Sequence, residues 1–297
     1  MNKNLRTHAD KIIHDAIQAV LPDAAVHRAL AGKKFPGRVV LVSAGKAAWQ
    51  MAKAAHAVLG SRIDRGVVVT KYEHVMGDIP GISCYEAGHP VPDENSFKGT
   101  LAVLEATKDL RPEDTVLFLL SGGGSALFEL PLISGEELQD VTQQLLQSGA
   151  DIREMNTIRK RLSKVKGGRF AEWCASAKVE AIVLSDIVGD PLDMIASGPA
   201  VADSSTCQQA MEIIERYNIR LSDAARNLLA QETPKEITNV NTTVIGSVRE
   251  LCNAAAKQCE ALGYEPIILT DCLECEAKEA GAFLAGILKT HATKNKK

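Results

Sequence analysis

The hydrophobic residues of this chain fall into two alternating kinds of stretch, and their spacing predicts strands and helices that follow one another. Short unbroken apolar runs are typical of strands that are buried on both faces of a sheet. Longer stretches with apolar residues three or four positions apart are typical of helices with one buried face. The predicted strands cover 39–42, 66–71, 115–120, 179–184, 242–245 and 265–270. The predicted helices cover 5–20, 46–60, 95–110, 134–147 and 249–262.

The last predicted unit, a strand, a helix and a strand over 242–270, indicates how the elements are arranged. Two strands joined by a helix almost always lie parallel, with a right-handed crossover. Chains that alternate strands and helices in this way form a parallel sheet with helices on both faces. We therefore predict an α/β protein, a three-layer sandwich built on a mainly parallel sheet.

Composition argues against several classes of protein. The formal net charge of -3 and the 4% of aromatic residues argue against a nucleic-acid surface, which needs a basic face and rings for stacking. The sequence contains no apolar run of the roughly 18 residues that a membrane helix needs, and polar residues interrupt the N-terminal stretch. We therefore expect a cytoplasmic protein that acts on a small molecule, without a nucleic-acid or membrane partner. A homodimer is left open.

The cysteines favour a reducing compartment. There are seven, and an odd number spread over predicted helices and strands does not suggest a disulfide framework. Cys272 and Cys275 form one C-x-x-C pair, but no second pair lies at the spacing of a zinc site. We expect two ordinary thiols at the start of a helix, with a metal or redox site as the minor alternative.

Small and polar residues directly follow four of the predicted strands. One of these segments carries three consecutive glycines, which are costly in conformational entropy unless the backbone needs them. In open α/β sheets ligands bind outside the carboxyl ends of the strands, where main-chain amides favour negative charge. We therefore predict an anion-binding cleft, against the alternative of tight helix entries that need small residues only for packing. The segments contain Ser43, Gly45 and Lys46; Ser121, Gly122, Gly123, Gly124 and Ser125; Ser185 and Asp186; and Gly246 and Ser247.

Several charged residues near these segments are candidates for chemistry. Lys46 directly follows a strand, where its ammonium could reach into the cleft; a solvated surface lysine is the alternative. Asp186, Asp190 and Asp193 lie in a segment rich in glycine and proline, and carboxylates so close together suit a Mg²⁺ site or a general base. Capping of backbone amides is the alternative for each. His89, in a proline-containing loop, could bind a substrate carboxylate or hydroxyl, or staple the loop.

A basic segment, MNTIRKRLSKVKGGR at 155–169, contains six lysines and arginines within eleven residues. On a continuous helix, positions 160 and 164 share a face, and so do positions 159 and 166. The segment therefore predicts either a path for phosphate groups or a solvated helix face. Asn156 and Lys160 are our candidates for substrate or phosphate binding within it.

Three familiar motifs are missing from the sequence. It contains no G-x-x-x-x-G-K-[ST], no G-x-G-x-x-G after a strand and no G-x-S-x-G. Their absence argues against a P-loop protein, a dinucleotide-binding protein and an α/β-hydrolase.

Long motifs spread over residues 5–285 resemble those of one enzyme family. They are SAGKAAWQMA, AGHPVPDENS, SGGGSALFELP, MNTIRKRLSKVKGGR, SDIVGDPLDMIASGP and LGYEPIILT. Together they are similar to the ATP-dependent glycerate 2-kinases that carry a C-terminal MOFRL domain. Some members of that family are labelled hydroxypyruvate reductases.

The resemblance implies transfer of the γ-phosphoryl group of ATP to the 2-hydroxyl of D-glycerate, with Mg²⁺, giving 2-phosphoglycerate. Lys46 matches the lysine of the family's glycine turn, and 121–125 matches its glycine-serine loop. By this resemblance Lys46 binds charge that develops on the transferred group, and Asp190 contacts the hydroxyl or the metal. We expect Asp186 and Asp193 as metal ligands.

The resemblance also implies how the chain is divided. We expect a Rossmann-like glycerate kinase N-terminal domain over 1–285 and a basic tail over 286–297, with the MOFRL domain absent and activity impaired for that reason. Two alternatives stay open. One is an anion- or nucleotide-binding module without turnover, and the other is an NAD(P)H-dependent hydroxypyruvate reductase, which the missing dinucleotide motif disfavours.

Overall fold

One parallel sheet of six strands lies at the centre of the part of the protein that the computed structural model describes, residues 3–185, 187, 189 and 191–294. The strands are β1 Val39–Ala44, β2 Ile63–Lys71, β3 Ile82–Ala87, β4 Thr115–Ser121, β5 Lys178–Leu184 and β6 Val240–Ile245. Their order in space is β3-β2-β1-β4-β5-β6, and every neighbouring pair is parallel.

Helices connect the strands and extend beyond them at both ends. Polar side chains mark several helix starts, as at Asp93, which accepts hydrogen bonds from the amides of Asn95 and Ser96. Ser134 caps the next long helix by accepting a hydrogen bond from the Glu137 amide. The helices are α1 Lys3–Val20, α2 Pro22–Leu30, α3 Ala48–Leu59, α4 Glu94–Ala106, α5 Gly124–Leu127, α6 Gly135–Ser148, α7 Ile152–Leu162, α8 Arg169–Trp173, α9 Cys207–Arg216, α10 Asp223–Leu229, α11 Val248–Ala261 and α12 Ala277–Lys294, with 3₁₀ turns at Gly60–Arg62 and Ile195–Ser197.

Alternate residues of each strand face opposite layers of helices. In β4, Val116, Phe118 and Leu120 pack towards α4 and α8, whereas Leu117 and Leu119 pack towards α2 and α3. Both faces are therefore apolar, which explains the unbroken hydrophobic runs in the sequence. The three-layer α/β fold with a parallel sheet is confirmed. None of the helices in the described residues has the length and hydropathy that crossing a bilayer requires.

A second group of helices packs on itself rather than on the sheet. α6, α7, α9 and α10 share a separate apolar core that includes Leu145, Ile158, Ile214 and Leu229. This helical cluster lies between β4 and β6 along the chain, and it carries α7, which holds most of the basic segment.

One predicted strand is wrong. Residues 265–270 have no regular structure, and Ile267 and Leu269 are 80% and 70% exposed. β-Branched residues form a strand only where a neighbouring strand offers hydrogen-bond partners, and within the described chain β6 pairs only with β5. α12 runs across residue 286 without a break, and the expected division of the chain at that residue stays a prediction.

The apolar spacing also missed several elements, among them β3, α2, α5, α8, α9 and α10. The edge strand β3 mixes polar and apolar residues, so it gives no continuous apolar run. The first helix ends at Val20 as predicted, but a second helix that we did not predict follows at once, with Pro22 as its first residue. Proline is favoured at that position because its missing N–H would have had no partner within the helix.

A buried carboxylate joins the two central strands at their amino ends. Asp114 directly precedes β4 and is 1% exposed. It accepts hydrogen bonds from the Arg38 amide over 3.0 Å, from Arg38 Nη2 over 2.7 Å and from the Arg111 amide over 3.0 Å. The Arg38 guanidinium holds the pKa of the Asp114 carboxyl well below its usual range, although burial acts in the opposite direction.

We expect Asp114→Asn to lower the free energy of unfolding at pH 7 by about 1–3 kcal/mol, because buried donors lose a charged acceptor. The pKa of Asp114 is lower in the folded than in the unfolded state. Its carboxylate therefore stabilises the fold above the unfolded pKa, and this contribution is lost as pH falls through the folded pKa. Urea unfolding measured from pH 7 down into the acid range should show wild type and variant converging. A difference that stays constant with pH would contradict this assignment.

Candidate functional site

The connections of the sheet reverse direction between β1 and β4. From β1 the chain continues to β2 and β3 on one side, and from β4 it continues to β5 and β6 on the other. The turns that leave β1 and β4 therefore diverge and leave a crevice outside the strand ends, which is where sheets of the doubly wound type bind ligands. These turns are the predicted segments 43–46 and 121–125.

Two hydrogen bonds hold the turns against each other. The Lys46 amide donates to the carbonyl oxygen of Gly122 over 2.8 Å, and the Ala47 amide donates to Ser121 Oγ over 3.0 Å. Gly45 makes this contact possible, because its φ is +122° and a Cβ there would lie 2.3 Å from Ser121 Oγ. A larger residue at this position would push the two turns apart.

The glycine triplet allows two side chains to approach its backbone. Gly123 has a φ of +85°, and a Cβ there would lie 2.8 Å from His89 Cδ2 and 3.1 Å from Lys46 Cγ. His89 follows β3 and Lys46 follows β1, so the two side chains converge on Gly123 from separate loops. The stem of a lysine, an imidazole and a backbone without side chains, placed together at this edge, suit an anionic group.

The end of the triplet packs against a strained turn. A Cβ on Gly124 would lie 2.6 Å from the Cβ of Ala196. Ala196 and Ser197 have positive φ values of +51° and +62°, which cost non-glycine residues about 1–3 kcal/mol each. Ser197 Oγ donates to Asn156 Oδ1 over 2.8 Å and lies 3.1 Å from Ser125 Oγ. The strained turn thus brings together Ser125 and Asn156, which the sequence singled out, through a serine that it did not.

Two other predicted residues have partners within the protein. Ser43 is completely buried, and its Oγ donates to the carbonyl oxygen of Ala48 over 2.8 Å, so that it holds the start of α3. Lys160 is 3% exposed, with its Nζ 3.0 Å from Asp203 Oδ1 and 3.8 Å from Asp193 Oδ2. Contact of Ser43 or Lys160 with a ligand stays a prediction.

The basic segment is not a solvated helix face. α7 ends at Leu162, so positions beyond it do not share the faces that a continuous helix would give them. Arg161 and Lys166 are completely buried, with Arg161 Nη1 3.6 Å from Asp203 and Lys166 Nζ 2.8 Å from Glu129. Carboxylates from distant parts of the chain compensate these cations, and no local pattern in the sequence announces them.

The described residues do not assemble a metal site. Asp186 and Asp190 lie outside them, and Asp193 faces Lys160 as stated above. Within 3–185, 187, 189 and 191–294, no three His, Cys, Asp or Glu side chains are grouped so that they could hold a metal ion. Cys272 and Cys275 are exposed free thiols. A set of protein ligands for Mg²⁺ therefore cannot be assigned within these residues.

Thr70, near the end of β2, and His74, just after it, also belong to the site, and we did not predict them from the sequence. His74 Nδ1 lies 2.9 Å from the carbonyl oxygen of Lys46, and Thr70 Oγ1 donates to the carbonyl oxygen of Gly45 over 2.9 Å. Both fix the backbone of the lysine turn from the side of β2. The available signal was the polar sequence TKYEH at 70–74, which follows an apolar strand in the same way as the segments that we did single out.

Comparison with known proteins identifies the family. Residues 8–230 match the family model described as "Domain of unknown function (DUF4147)". The D-glycerate 2-kinase of Thermotoga maritima is 53% identical over 289 residues, which are 97% of this chain and 69% of that protein. The chain belongs to the glycerate kinase family.

Further members of the glycerate kinase family are similar in sequence and in structure. The glycerate 2-kinase of Pyrococcus horikoshii is 39% identical over 309 residues, which cover 96% of this chain and 69% of that protein. The crystal structure of the glycerate kinase of Thermotoga maritima matches with a TM-score of 0.94 at 51% identity, over 99% of this chain and 71% of that chain. The resemblance seen in the sequence is confirmed at the level of the family.

Gly123→Ala tests whether the close approach to Gly123 matters for binding in this glycerate kinase family member. The added methyl group would displace the His89 ring and the Lys46 stem, so we expect binding of inorganic pyrophosphate to weaken about tenfold, since small displacements in a preorganised site are costly. Isothermal titration measures the affinity, and thermal unfolding measures the stability.

Gly149→Ala is the matched control. Gly149 has a similar φ of +78°, but a Cβ there would meet nothing within 4 Å. Both variants should therefore lose about 1 kcal/mol of stability from backbone strain, and only Gly123→Ala should lose affinity. Equal affinities in the two variants would show that the convergence on Gly123 is irrelevant to binding.

Proposed function

We propose that this protein phosphorylates D-glycerate at the 2-hydroxyl group, with ATP as the donor and 2-phosphoglycerate as the product. The observation that carries the proposal is the convergence of Lys46 and His89 on the glycine triplet at the switch point of the sheet, in a member of the glycerate kinase family. Phosphoryl transfer is catalysed mainly by positioning and by neutralising charge. A lysine whose stem lies beside a backbone without side chains is suited to both tasks.

In this proposal Lys46 binds the phosphoryl group that is transferred. Its amide is hydrogen-bonded to the carbonyl oxygen of Gly122, and its carbonyl oxygen is hydrogen-bonded to His74 Nδ1. The main chain therefore fixes the point from which the side chain extends. A cation anchored in this way does not have to reorganise during the reaction. It can therefore stabilise the charge that builds up on the oxygens of the transferred phosphoryl group. Such an interaction raises kcat more than it tightens binding of the ground state.

The backbone of Gly122, Gly123 and Gly124 is proposed to lie along the polyphosphate of ATP. Without side chains, the main chain can approach phosphate oxygens closely and offer its amides to them. Ser121 supports this indirectly, because its Oγ accepts a hydrogen bond from the Ala47 amide and so holds the turns after β1 and β4 together.

The glycerate is proposed to bind beside His89 and the polar pair Ser125 and Asn156. An imidazole can donate a hydrogen bond to a carboxylate, and Ser125 reaches Asn156 through Ser197 to form a polar wall. Asp190 is proposed to contact the 2-hydroxyl. Mg²⁺, with Asp186 and Asp193 as candidate ligands, would neutralise phosphate charge when bound.

A reductase acting on hydroxypyruvate with NAD(P)H is the second candidate, and one observation favours it. The strand order β3-β2-β1-β4-β5-β6 is also that of sheets that bind dinucleotides. In those proteins a glycine-rich G-x-G-x-x-G turn follows the first strand, whereas β1 is followed here by Gly45 and Lys46. A lysine in that turn suits phosphoryl transfer better than binding of a nicotinamide cofactor.

The cysteines support a cytoplasmic enzyme. All seven are free thiols, among them the buried Cys174, whose thiol pKa is raised to about 12 mainly by burial. A thiol with so high a pKa is unreactive, and free thiols are typical of a reducing compartment. We therefore propose a cytoplasmic location.

A pair of coupled assays tests the proposal. With MgATP and D-glycerate, release of ADP is followed through pyruvate kinase and lactate dehydrogenase, and the product is identified by its conversion with enolase, which accepts 2-phosphoglycerate. ADP release without an enolase substrate would place the phosphate elsewhere on glycerate. Oxidation of NADH with hydroxypyruvate would support the reductase. Thermal stabilisation by ATP, with neither phosphorylation of glycerate nor oxidation of NADH, would indicate a binding module without catalytic activity.

Lys46→Ala should lower kcat/KM by at least about a hundredfold, the cost of removing a preorganised charge from a transition state. Lys53→Ala is the matched control, because Lys53 is an exposed lysine on α3 whose ammonium lies 4.8 Å from the centre of the Trp49 ring. Its activity should stay near that of the wild type. Wild-type kinetics in Lys46→Ala would remove Lys46 from the mechanism.

A further inference from the structure

Two completely buried charges lie next to α5, the short helix that begins with the last glycine of the triplet. Glu129 follows α5 closely, and Lys166 comes from the segment after α7; both are 0% exposed. Lys166 Nζ is 2.8 Å from Glu129 Oε2. Arg159 of α7 completes the group, because its charge acts on both Glu129 and Lys166. We call these three residues the charge cluster.

Both cations of the charge cluster bind the main chain of α5 and of the residue after it. Arg159 Nη2 donates to the carbonyl oxygen of Ser125 over 2.8 Å, and Lys166 Nζ donates to that of Phe128 over 2.8 Å. α5 has only four residues, so it cannot satisfy these carbonyl groups with its own amides. The position of α5, and of the glycines at its start, therefore depends on side chains from a different part of the fold.

Stability alone does not explain the charge cluster. A buried ion pair usually stabilises a fold no more than apolar side chains of the same size would. Neither oxygen of Glu129 accepts a hydrogen bond of good geometry within the described residues, although the ammonium of Lys166 lies at contact distance. Apolar residues could not supply what the cluster does: two directed hydrogen bonds, to the carbonyl oxygens of Ser125 and Phe128, and one positive charge in excess next to α5.

We propose that Glu129, Lys166 and Arg159 are positioning residues that hold the glycine triplet in place beside Lys46 and add positive charge close to the place where phosphate binds. This inference rests on the proposed function, because the triplet is taken to lie along the polyphosphate. None of the three residues needs to touch a substrate. They act through the carbonyl groups of Ser125 and Phe128.

The charge cluster also predicts how binding depends on pH. Burial lowers the pKa of Lys166 to about 8. The positive charge of Arg159 acts in the same direction, and the negative charge of Glu129 opposes it. Loss of the Lys166 proton above that pH removes the excess positive charge and breaks the ion pair with Glu129. Because this pKa is lower in the folded state, deprotonation does not reduce the stability contributed by Lys166. Ligand binding should therefore weaken in a pH range in which this group does not destabilise the fold.

The experiment compares the wild type with Lys166→Met and with the double variant Lys166→Met/Glu129→Gln. Lys166→Met leaves Glu129 with Arg159 as its compensating charge, whereas the double variant removes the Glu129–Lys166 ion pair as a whole and leaves Arg159 as the one charge of the cluster. The two variants disturb the charge balance in different ways, so the inference stays testable if one of them fails to fold. Between pH 7 and pH 9 we expect the wild-type KM for MgATP to rise by up to about tenfold, the most that one pH unit above this pKa allows, with a smaller change in kcat. The double variant should have a raised KM at pH 7 and lack this rise.

Hydrogen exchange of the amides in 121–130 gives a second readout that does not depend on turnover. Exchange should be faster in the double variant than in the wild type at the same pH, without substrate present. Asp114→Asn is the control, because Asp114 is a buried carboxylate at the opposite end of β4. It should lower stability and leave both the exchange of 121–130 and the pH dependence of KM unchanged.

The outcomes separate this inference from the proposed function. A wild type that phosphorylates glycerate, with an alkaline rise of KM that persists in the double variant, overturns the inference alone. Unchanged exchange of 121–130 in the double variant also overturns it. Faster exchange in the double variant, in a protein that does not phosphorylate glycerate, would support the positioning role and refute the proposed function.

Discussion

The hydrogen bond from the Lys46 amide to the carbonyl oxygen of Gly122 is the contact on which the rest of the site depends. It joins the turns after two neighbouring strands, β1 and β4, where the connections of the sheet diverge and leave the strand ends uncovered. It forms only because Gly45 has no side chain to separate the turns. Through it, the backbone that carries the ammonium and the glycine backbone belong to one rigid unit, and the other features of the site are arranged around that unit.

The cations of this region serve two purposes that their sequence does not distinguish. Lys46 lies at the crevice, whereas Lys160, Arg161 and Lys166 are buried beside carboxylates. Buried charges are costly to desolvate, so they persist where they orient something that apolar side chains cannot. For Lys166 the orienting contact runs to the carbonyl oxygen of Phe128, close to the glycine triplet, which has no side chains of its own by which to be held. A main chain without side chains is thus held here by contacts from another segment of the protein.

The same sheet order serves proteins with very different chemistry, so the fold does not decide the reaction. What distinguishes this chain is the turn after β1, where a lysine stands in place of the glycines that cradle a dinucleotide. The strained turn at Ala196 and Ser197 is a second local feature, since strain of this kind is kept where surrounding contacts impose it. Both features lie at the carboxyl edge, where the proposed chemistry takes place.

The sequence by itself determined the alternation of strands and helices, the parallel sheet and the polar turns after β1 and β4, because periodicity and glycine content are local properties. It could not determine whether residues 265–270 pair with another strand, because pairing needs a neighbour that only the whole fold supplies. Nor could it show that Lys166 is buried against Glu129, since charge compensation links segments that are distant along the chain. The tertiary structure decided which polar residues meet, because proximity in space follows from the order of the strands and not from spacing in the sequence.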